Sequence, residues 1–314
     1  MIDKGIRKRD YAKGAITLTR VAIILNPKAG NVKMVNLIDL IQERLQEKYE
    51  HVSLHKTEHE GHGAELVEEL ADDVDILIGA GGDGTIYELA NAICKRENRP
   101  IFGVIPGGTC NDFSRAIGIN QNPMQAVEQL LEDNRSLIDV GRSNDEYFLN
   151  FWGIGLITQT SENINPDTKE VFGRLSYYIS TAQTINNPEP FHLKVEADET
   201  NFEGEAVMMI VGNGPFTGGI QAFFPENNLQ DGEFDVLIIK ETSLPTFWSI
   251  FQSKVFKQSR FNEDILHFQT KNLSITASPE QTIDCDGERY YTTPSTLEVL
   301  PKYLTVLTGK NFPN

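Results

Sequence analysis

At 314 residues the chain is long enough for about two domains, and with 39% hydrophobic residues it can fill packed cores, which excludes a disordered chain. Its 28 Lys and Arg against 45 Asp and Glu leave a formal net charge of −17, which disfavours a general nucleic-acid binder, because such affinity rests on neutralising phosphates with Lys and Arg. The three cysteines, Cys94, Cys110 and Cys285, are odd in number, widely spaced and without a CxxC pair, so neither a disulfide framework nor a zinc site is indicated and a reducing cytosol fits.

Residues 1–19 form a basic N-terminal extension. Counted with Arg20, it carries Lys4, Arg7, Lys8, Arg9 and Lys13 against Asp3 and Asp10, a net +4 with little apolar periodicity. Such a segment is either a solvated tail or one drawn to an anionic membrane surface. The longest apolar runs, Val21 to Leu25 and Ala206 to Val211, fall far short of the roughly 18 to 20 residues needed to span a bilayer. No signal-peptide pattern precedes them, so the chain is not expected to cross a membrane.

From Val21, short β-rich runs (21–25, 51–57, 75–80 and 101–105) alternate with helix-period segments at 32–48, 63–72 and 85–96. That alternation predicts βαβ units with a parallel sheet. Ligands of such sheets bind at the carboxyl ends of the strands, where loops meet helix N-termini. The polar, Gly-rich segments NPKAG, TEHEG, GGDGT and PGGTCND all fall at those ends. Beyond about residue 137 the pattern becomes many short strands with turn residues between them, interrupted by helix-like stretches near 173–185 and 244–257. A β-sandwich-like second domain is expected. Periodicity leaves open whether residues 301–314 return to the first domain.

Gly79-Ala80-Gly81-Gly82-Asp83-Gly84-Thr85 leaves an apolar strand and enters a helix. Glycines bring backbone N–H groups close to phosphate oxygens, and the helix N-terminus favours anions. By itself this is either a phosphate loop or a Gly-rich turn with Asp83 capping its own helix. Asn26-Pro27-Lys28-Ala29-Gly30 and Gly107-Gly108-Thr109-Cys110-Asn111-Asp112 carry similar ambiguity, the latter as a helix start capped by Thr109 or Asp112. Far downstream lies Asp284-Cys285-Asp286-Gly287-Glu288. If 283–286 are extended, Asp284 and Asp286 share a face and the Gly turn brings Glu288 near them. Clustered carboxylates raise one another's pKa or gather a cation such as Mg²⁺; the other reading is a solvated D-G hairpin.

NPKAG, Thr57, GGDGTIYE, GGTCNDF and CDGE, in this order, resemble the diacylglycerol kinase catalytic family, specifically its bacterial soluble lipid kinases. The resemblance covers nearly all of residues 20–310. It implies an α/β plus β fold: an N-terminal Rossmann-like α/β nucleotide-binding domain at 20–137 and a C-terminal β-sandwich lipid-binding domain at 138–300, with ATP and lipid meeting between them. It places Asn26, Pro27, Lys28, Ala29, Gly30, Thr57, Gly82, Asp83, Gly84, Thr85, Ile86, Tyr87, Glu88 and Thr109 along the ATP site. Asn111 and Asp112 would shape the phosphate and acceptor region. Asp83 would hold a catalytic Mg²⁺ through water, Glu288 would accept the proton with Asp286 beside it, and Asn228, Asp231 and Glu233 would bind a structural Mg²⁺. Ala29 stands where the family usually has Ser and Asn31 where a basic residue often follows, leaving a phosphate contact absent or supplied by Lys28 or Lys33.

The implied reaction is ATP-dependent phosphorylation of a membrane lipid hydroxyl, most simply diacylglycerol to phosphatidic acid, by a cytoplasmic protein peripheral to the inner face of the membrane. The stretch 247–261 has no acid, three cations and seven large apolar side chains, and reads as a packed helix or an interfacial one. An apolar cleft is expected, with Phe216, Phe223 and Phe224 as acyl-chain contacts or core residues. Competing readings are an NAD kinase-like phosphotransferase, which shares GGDGT, a catalytically silent nucleotide or lipid sensor, and, more remotely, a Rossmann oxidoreductase. A homodimer, the commonest soluble assembly, is compatible with the chain.

Overall fold

The computed structural model describes residues 17–28, 33–159, 189–219, 221, 223–224, 226–240, 265–288 and 291–312. Ala29, Gly30, Asn31, the helix-like stretches at 173–185 and 244–257, and the basic aromatic segment 247–261 lie outside the described residues.

The first half alternates strand and helix: β1 (Thr17–Leu25), α1 (Lys33–Gln46), β2 (Tyr49–Lys56), α2 (His62–Leu70), β3 (Ile76–Gly81), α3 (Asp83–Cys94) and β4 (Ile101–Pro106). β1 pairs in parallel with β2 and β3, and β3 with β4. Strands covered on both faces read as unbroken apolar runs, and every residue of β3 is buried. Helix α1 presents Met34, Ile38, Ile41 and Leu45 to this core, the spacing of a single helix face. Short α4 (Asp112–Ala116) and α5 (Pro123–Glu132) follow. Helix α5 lies outside the expected elements; Asn122 accepts hydrogen bonds from Met124 N–H and Gln125 N–H and Pro123 occupies its first turn, a helix-start signature.

The second half contains β5 (Arg135–Ser143), β6 (Glu146–Phe148), β7 (Phe151–Gly155), α6 (Leu156–Gln159), β8 (Phe191–Ala197), β9 (Asn201–Ala206), β10 (Met208–Gly212), β11 (Phe234–Ile239), β12 (Ile265–Thr270), β13 (Asn272–Ser278), β14 (Ile283–Cys285) and β15 (Ser295–Leu307). An antiparallel sheet ordered β12-β11-β10-β7-β14 faces the β15-β13-β8-β9 part of a larger sheet. Phe148, Trp152, Ile154, Phe191, Leu193, Val195, Phe234 and Ile275 fill the space between. β8 alternates buried and exposed residues, as expected for a sheet with one face in solvent.

The parallel sheet of the first half is continuous with the larger of the second half's two layers. β15 pairs antiparallel with β13 and β5 and then, at Val306, in parallel with Phe102 of β4. The register shift between Leu300 and Leu304 lets one 13-residue strand serve both. Residues 304–307 therefore belong to the first half's sheet, and the α/β and β layers share a strand. Among the described residues, no helix is long and apolar enough to cross a membrane.

Candidate functional site

The register pairs Leu25 with both Lys56 and Ala80, and Gly81 with Pro106. The four parallel strands thus end together, and the loops after them converge on one cleft of about 1300 Å³. Asn26, Lys28, Thr57, Gly82, Asp83, Gly84, Thr85, Tyr87, Glu88 and Thr109 line it, and Glu288 enters from the second half. Residues more than 200 positions apart share this one cleft.

The loops brace one another. Gly82 and Gly108 pass so closely that a Cβ on residue 108 would stand 2.7 Å from Gly82 Cα. The Asn26 amide donates to Thr85 Oγ1 at 3.1 Å, and its oxygen accepts from Lys28 N–H at 2.9 Å. Asn111, in the left-handed region at φ 51°, accepts from Gly108 N–H and donates to Gly108 O, both at 2.8 Å. These contacts hold Gly-rich backbone in place at the N-termini of α3 and α4, where N–H groups lack intrahelical partners and partial positive charge collects.

The carboxylates divide their work differently from either local reading. Asp83 does not cap α3, whose N-cap is Gly82 with no side-chain bond. Its two oxygens accept from Asn111 N–H (2.9 Å) and Asp112 N–H (2.7 Å), so it caps α4 from 28 residues away. Neither Thr109 nor Asp112 serves as that cap, because Asn111 occupies the N-cap position. The Asp112 carboxylate turns to the second half and accepts from Gly218 N–H (2.6 Å) and Gly219 N–H (2.5 Å). Burial, followed by the charge of Asp83, pushes its carboxyl well above the usual range.

Asp284 and Asp286 do not share a strand face. β14 ends at Cys285, and Asp286 and Gly287 have φ of 52° and 95°, the two left-handed residues of a type I′ hairpin turn. Cys285 and Glu288 exchange backbone hydrogen bonds of 2.9 and 2.8 Å across it. The Asp286 carboxylate folds inward and accepts from the N–H groups of Leu149 (2.6 Å), Asn150 (2.9 Å) and Phe151 (2.8 Å). Burial outweighs these three bonds and pushes its carboxyl up to about 7, with the charge of Asp83 adding to the rise. Glu288, by contrast, remains in the cleft: a Cβ on Gly84 would stand 2.6 Å from Glu288 Oε1. Its carboxylate therefore lies against the first turn of α3.

Some expected positions face elsewhere. Ile86 packs in the first core. Tyr87 touches the cleft but, only 8% exposed, also reaches the core of the β layers from α3. Glu88 accepts from Ala64 N–H at 3.0 Å and so caps the start of α2 while touching the cleft. Pro27 is not part of the wall. Phe223 and Phe224 are buried away from it, Phe224 against Gly212 and the His267 ring, and Phe216 also lies off the wall. Nor is the cleft apolar: Glu58, Glu60, Glu65, Glu68 and Glu146 line it beside Lys28, Lys95, His59 and Tyr291, because the start of α2 and the polar face of α3 form its floor. The TEHEG segment at the end of β2 signalled the α2 wall; nothing local signalled Glu146 or Tyr291.

The residues fit the metal ions that the resemblance implies, in a restricted way. Among the described residues no group of three His, Cys, Asp or Glu gathers closely enough to hold an ion by itself. Each Asp83 oxygen accepts one N–H bond, and a carboxylate has about four lone-pair sites in all. That suits a Mg²⁺ held by one carboxylate, water and phosphate oxygens. In the loop before β11, exposed Asp231 accepts from Glu233 N–H at 3.1 Å and donates its own N–H weakly to Asn228 O at 3.5 Å, an all-oxygen set suited to a hard cation.

Residues 20–143 match the family model of the diacylglycerol kinase catalytic domain, and residues 154–308 that of the YegS C-terminal NAD kinase beta sandwich-like domain. A Staphylococcus aureus (strain Mu3) protein named "Putative lipid kinase" is 36% identical over 264 residues, covering 82% of this chain and 87% of that one. A solved diacylglycerol kinase structure from Bacillus anthracis str. Sterne is 36% identical with a TM-score of 0.83, over 93% of this chain and 97% of that one.

Proposed function

The chain belongs to the diacylglycerol kinase catalytic domain family and is a kinase of lipid-kinase type, and from that premise we propose that it moves the γ-phosphoryl group of ATP to the hydroxyl of a membrane lipid, with diacylglycerol as acceptor and phosphatidic acid as product. The observation that carries this reading is the Glu288 carboxylate lying against Gly84, at the helix N-terminus where phosphates would rest.

Phosphoryl transfer needs positioning and charge neutralisation more than covalent help from the protein. The N–H groups opening α3 and the Lys28 ammonium face the triphosphate, and Asn26, Thr57, Thr85 and Thr109 set its path through the cleft. Asp83 would hold Mg²⁺ through water, and a bound Mg²⁺ offsets the charge on the β- and γ-phosphates. Glu288 takes the proton of the attacking lipid hydroxyl as its oxygen bonds to the γ-phosphorus and ADP leaves. Asp286 has no spare reach for chemistry, since its carboxylate organises residues 149–151; it holds the hairpin that presents Glu288. Asn228, Asp231 and Glu233 would bind a second, structural Mg²⁺.

A lipid acceptor requires a membrane surface, which the protein would meet peripherally on the cytoplasmic side, with the basic segments 1–19 and 247–261 suited to an anionic leaflet. No nucleic acid takes part. γ-Labelled ATP incubated with a total-lipid extract should yield labelled phosphatidic acid, and EDTA should abolish the product. Label in NADP when NAD is supplied, with none in lipid, would overturn the reading in favour of an NAD kinase-like enzyme.

A further inference from the structure

Helix α3 carries a second message along the face that borders the cleft. Gly84, Tyr87, Asn91 and Lys95, spaced by three and four residues, form a stripe along one face of the helix and its C-cap, and each meets the second half of the chain. Gly84 faces Glu288, Tyr87 enters the core of the β layers, and Lys95 Nζ pairs with Glu146 at 2.9 Å. Between them the Asn91 amide donates to Tyr147 O at 2.7 Å, and its oxygen accepts from Tyr147 N–H at 2.8 Å. Asn91 is 6% exposed. A side chain that answers both backbone groups of one β6 residue docks the helix as a neighbouring strand would, and no apolar residue of similar size could replace it without leaving two part-buried polar groups unpaired. The opposite face of α3, with Ile86, Leu89 and Ile93, is fixed in the first core.

We infer that Asn91 is a positioning residue: its two-way pairing with the Tyr147 backbone sets where α3 sits against the β layers, and so where the Gly84 end of the helix meets Glu288. Asn91 borders the cleft, but both ends of its amide are taken up by the Tyr147 backbone; it acts through the placement of the helix. The inference rests on the kinase reading above for its rate effect but not for its structural effect.

The test uses purified full-length Asn91→Leu, which loses both hydrogen bonds to the Tyr147 backbone, and Asn91→Asp, which keeps an acceptor for Tyr147 N–H. Both are measured for transfer kinetics on lipid and for amide hydrogen exchange of residues 283–288. Asn91→Leu should lower kcat by about tenfold or more, as expected for a small misplacement of a base, with KM for ATP within about twofold of wild type. Asn91→Asp should fall between it and wild type, which keeps the test available if Asn91→Leu does not fold. Exchange in the Glu288 hairpin should quicken in the same order. A kcat unchanged in a variant that still melts cooperatively, or one that falls only in proportion to lost ATP binding, overturns the proposal. A wild-type protein silent on every lipid refutes the kinase reading instead, and the hairpin exchange alone then decides whether Asn91 positions it.

Discussion

Glu288 and Gly84 are in such close register that the carboxylate occupies the space a side chain at residue 84 would need, 2.6 Å from a Cβ placed there. One comes from a hairpin of the β layers and the other from the first turn of α3, and both line the cleft.

Gly84→Ala should separate activity from stability. The clash is with the far end of a flexible side chain, and Ala favours helix by up to about 1 kcal/mol over Gly. The melting temperature should therefore hold or rise, while kcat falls by about 100-fold as Glu288 is pushed from its place. Equal activity in a well-folded variant would show that the carboxylate position at Gly84 is unimportant.

Glu288→Gln keeps the shape of the side chain and removes the proton acceptor. Transfer to lipid should fall by about 10² to 10⁴-fold with ATP binding nearly intact, measured by labelled product and by nucleotide titration. Substantial residual turnover would remove Glu288 from the role of base.

Asp83 should show a double loss. Asp83→Ala removes both caps from the start of α4, costing about 1 to 2 kcal/mol of stability, and abolishes transfer that added Mg²⁺ does not restore. Denaturant melts and activity at rising Mg²⁺ check the two parts separately.

Asp286 gives the pH prediction. Its carboxyl is raised in the folded protein to about 7, above an unfolded value near 4, so the folded state binds the extra proton between those pH values. The stability it contributes is full below about pH 4 and is lost as pH rises through about 7. Asp286→Asn removes this dependence and sets an NH₂ group against one of three backbone donors, costing about 1 to 3 kcal/mol. The stability gap between wild type and variant should widen as pH falls from 8 toward 5. A constant gap would place the Asp286 proton elsewhere.

The local pattern of the chain was enough to locate β1 to β4 and α1 to α3, because a strand buried on both faces and a helix with one apolar face leave different periods in the residues themselves. It also showed that the Gly-rich loops would gather at one sheet end, since parallel strands joined by helices put every βα loop on the same side. By itself the sequence further determined that CDGE would make a tight turn and that its acids were candidates for chemistry. The acids' separate duties came only with tertiary structure. Asp83, Asp112 and Asp286 each bind backbone N–H groups 28 to 137 residues away, and Asn91 binds Tyr147 across 56. No local period records such partners, because a buried polar side chain is satisfied by whatever backbone the fold brings to it. β15 shows the same limit, since its two sets of neighbours depend on a register shift that only the assembled sheet reveals.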